Sequence, residues 1–213
     1  MDSLQRRLFV SLRSAELPVI NNSQEWHQQW AKDNLPKLTT PQEVTNAGIL
    51  THALVRGIIN TYSESDHPYT DNGLSRLFII NPKKRISRLA VASVWHNEIY
   101  IYEQALLKDS QIDPFKEIVL KSPTENDSYG SLQEYYELVG AEEMHHNLHP
   151  ELYSEYLKPP TTLAEHDSHP AELLALEWKM QYAKIHGFSQ VTKKNLQRRY
   201  ENTSEYIKEL EGR

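Results

Sequence analysis

Residues 131–149 read Ser-Leu-Gln-Glu-Tyr-Tyr-Glu-Leu-Val-Gly-Ala-Glu-Glu-Met-His-His-Asn-Leu-His, and their reading decides the fold and the site together. Ser131 and Glu134 stand at the spacing of a capping box, which opens a helix. At about 100° per residue, Leu132, Tyr135, Tyr136, Leu138 and Val139 share one side of that helix. Glu143 and His146 extend the centre of that side, Glu142 lies near its edge, and His145 points well away. Burying two carboxylates and an imidazole without partners is costly, and a metal ion or a hydrogen-bond network would relieve the cost.

Working outward, Pro150 ends or bends this helix, and His169-Pro170 begins another that runs to about Ile185 and stops at Gly187. Leu174, Trp178, Tyr182 and Ile185 make its apolar stripe. A last charged helix is expected over Val191–Leu210. Before the cluster, Leu77–Ile80 is a short apolar run ended by Asn81-Pro82. Ile86–Trp95 and Glu98–Tyr102 are rich in β-branched and aromatic residues and flank His96-Asn97, a two-residue turn. Gln104–Leu107 leaves the sheet, and residues 108–130 read as polar connection. Upstream, Thr40-Pro41-Gln42-Glu43 starts a helix running to about Thr61, and residues 62–73 are a loop by composition. The fold class expected is α+β: a small antiparallel sheet with helices packed on one side. Residues 1–40 form an N-terminal arm with a short helix near Gln24–Lys32, and residues 41–213 form the domain.

Composition narrows the function. The chain has 213 residues, 38% hydrophobic and 24% charged, with a formal charge of -6. That suits one folded domain with a core. Basic residues are scattered apart from Lys83-Lys84-Arg85 and the Lys193–Arg199 segment, which reads as a solvated helix surface, so there is no strong nucleic-acid signal. The chain has no cysteine, which excludes disulfides, thiolate zinc sites and a cysteine nucleophile. No run approaches the roughly 18 apolar residues of a membrane span. Leu8–Leu12 is too short and too polar for a signal-peptide core, so a cytoplasmic setting is the expectation.

Five of the ten histidines, His145, His146, His149, His166 and His169, lie in or just after the cluster. Histidine and carboxylate are the side chains that bind zinc and iron and move protons near neutral pH. Residues four apart share a helix face, so Glu142 and His146 can reach one ion while Glu143 projects beside them. This arrangement, Glu142-Glu143-Met144-His145-His146, resembles the His-Glu-x-x-His helix of zincin-type, gluzincin-like metallopeptidases. The resemblance covers about residues 86–180, with a glutamate standing at Glu142 where that family has its first histidine. It implies a zincin-like fold with an edge strand that aligns substrate, for which Glu98–Tyr102 is the candidate. It implies zinc, or else iron, held by Glu142, His146 and either Glu172 or His169, with His145 and His149 as lesser candidates. Glu143 would be the general base of a peptide or protein hydrolase. A carboxylate ligand lowers the positive charge felt by a water on the metal, so an inactive zincin-like relative is the first alternative.

Simpler readings stand beside these. His149 suits the negative end of its helix, and Glu172 suits the positive end of the next. His166 and His169 flank Asp167-Ser168, where capping accounts for at least one of them. A di-iron carboxylate bundle would pair Glu143–His146 with Glu64–His67 on a second helix, but Glu64–His67 falls in a loop by composition. A His-Asp phosphohydrolase would need its pair on an apolar helix, and His166-Asp167 is not on one. An α+β interaction module with a structural polar network completes the alternatives.

Overall fold

In the computed structural model, the described residues are 23–64, 76–80, 92–95, 98–121, 126–149 and 170–211. They form six helices and five strands, a mostly helical α+β arrangement. Helix α1 (Gln24–Asn34) is capped by Ser23, whose Oγ accepts the Trp26 N–H at 3.2 Å. It buries His27, Trp30 and Ala31. Helix α2 (Pro41–Glu64) starts as its sequence dictates: Thr40 Oγ1 accepts the Glu43 N–H at 3.2 Å, and Glu43 reaches back to the Thr40 N–H at 3.0 Å. Ala47, Leu50, Ala53, Leu54, Val55 and Ile58 are fully buried along it.

Strands β1 (Arg76–Ile80), β2 (Ala92–Trp95) and β3 (Glu98–Tyr102) form one sheet in the order β1-β3-β2. The hairpin β2–β3 is antiparallel, with Trp95 opposite Glu98. His96 and Asn97, the expected turn, lie outside the described residues. Two expectations need correction. The sheet is mixed rather than antiparallel, because β1 runs parallel to β3. Strand β3 is central rather than an edge, so its backbone is already paired on both sides. Both faces of β3 are covered too, since Ile99, Tyr100 and Ile101 are all buried. A continuous apolar run marks such a strand.

Helix α3 (Glu103–Asp109) follows β3 directly. The connection expected over residues 108–130 is more ordered than its polarity suggests. It holds the hairpin of β4 (Ile118–Lys121) and β5 (Asn126–Tyr129). The β5 sequence Asn-Asp-Ser-Tyr has little strand propensity. Packing decides it: Asp127 and Tyr129 are buried on one side of the strand. Buried Asn46 of α2 donates to the carbonyls of Ser110 (2.9 Å) and Ile112 (3.1 Å), pinning the segment after α3.

Helix α4 (Leu132–Leu148) carries the cluster. It crosses α2 at two glycines, where neither helix leaves room for a side chain. A Cβ on Gly57 would overlap the Glu137 carbonyl, and one on Gly140 would overlap the Leu54 carbonyl. Helix α5 (Pro170–Ile185) returns along α4 and ends in a Schellman turn at Gly187, φ 69°. There the Phe188 N–H reaches the Ala183 carbonyl at 3.0 Å and Phe188 is buried. Helix α6 (Gln190–Glu211) packs back on α5, capped by Ser189. No helix among the described residues is long and apolar enough to cross a membrane.

Substituting Gly140→Ala forces the α2–α4 crossing apart. The expected loss is about 3 kcal/mol or more, above the usual range for overpacking because the clash is with backbone. Denaturant unfolding measures it, and a loss below about 1 kcal/mol would contradict the tight crossing.

Candidate functional site

Helices α4 and α5 run antiparallel, and three contacts give their register. Tyr182 Oη donates to Glu137 Oε1 at 3.0 Å, Lys179 Nζ donates to Glu142 Oε1 at 2.5 Å, and the His145 ring stacks on Trp178 with centroids 5.2 Å apart. The buried side of α5 therefore carries Glu172, Ala175, Leu176, Lys179, Tyr182 and Ala183. The stripe expected from sequence is rotated from this one: Leu174 is 39% and Ile185 66% exposed.

Lys179 is the residue that sequence reasoning missed. It is 5% exposed and forms an ion pair with Glu142. Burial opposes ionisation of Glu142. Lys179, His146 and Arg199 outweigh it and hold the carboxyl well below its ordinary value of 4.5. Nearby, Arg198 and Arg199 each lie 3.6 Å from buried Asp127 of β5. Glu142 thus belongs to a charged layer joining α4, α5, α6 and β5. The signal for Lys179 was available: it sits four and three residues from Ala175 and Leu176, and three from Tyr182, a cation in mid-stripe.

The other site residues fall out as follows. His145, expected to point away, is 8% exposed, packed on Trp178 and 4.6 Å from the His149 ring. Glu142, Glu143 and His146 are half-buried, whereas Ala141, Met144, His145 and Leu148 carry the buried side onward. The reason is geometric: α4 is covered by α2 on one flank and α5 on another, so its buried arc is wider than one apolar stripe suggests. Glu172 is buried but precedes Lys179 by seven residues, roughly 10 Å of helix rise. The antiparallel register puts it level with His149 rather than Glu142. His169 and His166 lie outside the described residues, and Glu98 has no described side chain. Among the described residues, no three His, Cys, Asp or Glu side chains converge as a metal set. The carboxylate at the centre of the expected zinc site, Glu142, is held through Oε1 by the Lys179 ammonium.

A second polar site lies at the other end of α4. A cleft of about 360 Å3 is lined by Arg56 and Asn60 of α2, Ser131, Gln133, Glu134 and Glu137 around the start of α4, and His186, Gly187 and Phe188 after α5. Its floor is a fixed chain of bonds. Asn60 Nδ2 donates to Tyr182 Oη at 3.1 Å, Tyr182 donates to Glu137, and Arg56 Nη2 donates to the other Glu137 oxygen. Burial and the Glu137 charge push the Tyr182 phenol up, keeping it a donor. Glu134 does not complete its capping box. Its carboxylate instead accepts the Ser189 N–H and Oγ–H, each at 2.8 Å, and the Thr192 hydroxyl.

Comparison with protein-family models, curated proteins and solved structures finds no match to this chain.

The Glu142 pair has a pH signature. A carboxyl lowered in the folded state stabilises the fold above its unfolded value of 4.5, and that contribution is lost as pH falls through the folded value. Stability measured from pH 6 downward should therefore decline below about 4.5 in the parent chain, with a shallower decline in Glu142→Gln. Identical acid limbs would contradict the pairing.

Proposed function

We propose that this chain is an α+β interaction module rather than a metal-dependent hydrolase, its helix pair holding an internal lysine at the carboxylate where a hydrolase would hold a metal. The observation that carries this reading is the 2.5 Å contact of Lys179 Nζ with Glu142, with Lys179 5% exposed. A divalent ion on Glu142 would either displace that ammonium, leaving it buried without its counter-charge, or share one carboxylate with it as a second adjacent cation, and both are costly. The central position of β3 supports the same conclusion. A substrate backbone cannot add to Glu98–Tyr102 while β1 and β2 occupy both its edges.

Elemental mass spectrometry on protein purified without chelator or histidine tag tests the reading. The expected result is far less than one zinc or iron per chain, unchanged in His146→Ala. A stoichiometric metal lost in His146→Ala would restore the hydrolase reading, with Glu143 as base and Glu142, His146 and Glu172 or His169 as ligands.

A further inference from the structure

We infer that the outer edge of β4 is a self-association surface, on which a second copy of this chain pairs its own β4 antiparallel about a two-fold axis at Val119. The inference rests on residues other than Glu142 and Lys179 and stands whatever that pair does.

The two sides of the β4–β5 hairpin differ. On the β5 side, α6 holds the backbone: Arg198 Nη2 donates to the Asn126 carbonyl at 2.6 Å, and the Gly130 N–H donates to Thr192 Oγ1 at 2.9 Å. On the other side, β4 pairs with β5 and no further strand among the described residues. A strand in that position presents backbone donors and acceptors to which another strand can add. With β5 held by α6, the addition closes at two copies instead of continuing into a fibre.

The sequence of the edge selects this chain as its partner. Residues 117–121 read Glu-Ile-Val-Leu-Lys. Ile118 is buried and Leu120 half-buried, whereas Glu117, Val119 and Lys121 are exposed, so these three share the outer face. Glu117 and Lys121 stand four residues apart, about 13 Å along a strand, too far to pair with each other. Neither forms an ion pair among the described residues. Two antiparallel copies centred on Val119 bring Glu117 of each opposite Lys121 of the other. That makes two opposite-charge cross-strand pairs flanking an apolar contact of Val119 with itself. A parallel pairing in register would set like charges opposite each other. Val119 is 54% exposed, and Phe115, 62% exposed just before the strand, adds apolar area beside it.

Sedimentation equilibrium of the full chain, from about 10 μM to about 1 mM, tests this. The edge is short, so the expected dimer dissociates on the order of 0.1 mM. Lys121→Glu sets carboxylate against carboxylate in both pairs, and Glu117→Lys sets ammonium against ammonium. Each variant by itself should dimerise about tenfold more weakly than the parent. An equal mixture of the two restores both opposite-charge pairs and should regain about the parent affinity. A parent chain that stays monomeric to about 1 mM would overturn the proposal and leave the two charges as guards of a bare edge. So would a dimer indifferent to both substitutions, or a mixture that associates no better than its components. The parent dimer should also weaken severalfold between about 0.05 and 0.5 M salt, because exposed charge pairs are screened. A salt-insensitive dimer would overturn the proposal even where a variant fails to fold.

Discussion

The close crossing of α2 and α4 at Gly57 and Gly140 is the constraint on which the other contacts rest. With no side chain between them, the backbones meet at the Glu137 and Leu54 carbonyls. That approach fixes how far Glu137 lies from Arg56 and orients α4 so that its next flank faces α5. Glu137, Glu142 and His145 then meet Tyr182, Lys179 and Trp178 in a single antiparallel register. A wider crossing would shift all three pairs at once, along with the floor of the cleft.

The charged layer beyond that crossing is costly to build. Burying an ion pair gives little net stability over apolar residues of the same size, yet removing one partner is strongly destabilising. Glu142 and Lys179 therefore act as a lock on pairing and register more than as a source of stability. In the proposed reading, Lys179 also limits what α4 can do chemically. The Glu-Glu-x-x-His spacing places a carboxylate where a metal could be gripped, and α5 answers with a fixed cation. The cleft is different in kind: its charges are also braced by hydrogen bonds, but its space is open.

Much of the fold was legible in the sequence. The caps at Thr40 and Ser131, the stop at Gly187 and the β2–β3 hairpin are local events, written in residues a few positions apart. What escaped was non-local. The parallel pairing of β1 with β3 has no signature in alternation. Asn126–Tyr129 is a strand only because β4 and α6 lie against it, against its own propensity. For the site, the residue types were visible but their neighbours were not. His145 looked exposed because the helical wheel assumed one buried stripe, whereas α4 is packed on two flanks. Glu134 matched a capping box, yet its carboxylate went to Ser189 and Thr192, partners more than fifty positions away. Lys179 is the instructive case: its place in the middle of an apolar stripe could have been read, but its partner on α4 could not.

The central claim is that Lys179 is the cation of the Glu142 site, and a double-mutant cycle tests it most directly. Denaturant unfolding would be measured for the parent chain, Glu142→Gln, Lys179→Met and the double variant. If the pair is formed, each single change costs about 3–5 kcal/mol and the double variant falls well short of their sum, because neither buried charge is then left alone. Additive losses within about 0.5 kcal/mol would show that the two side chains do not interact and would contradict the account.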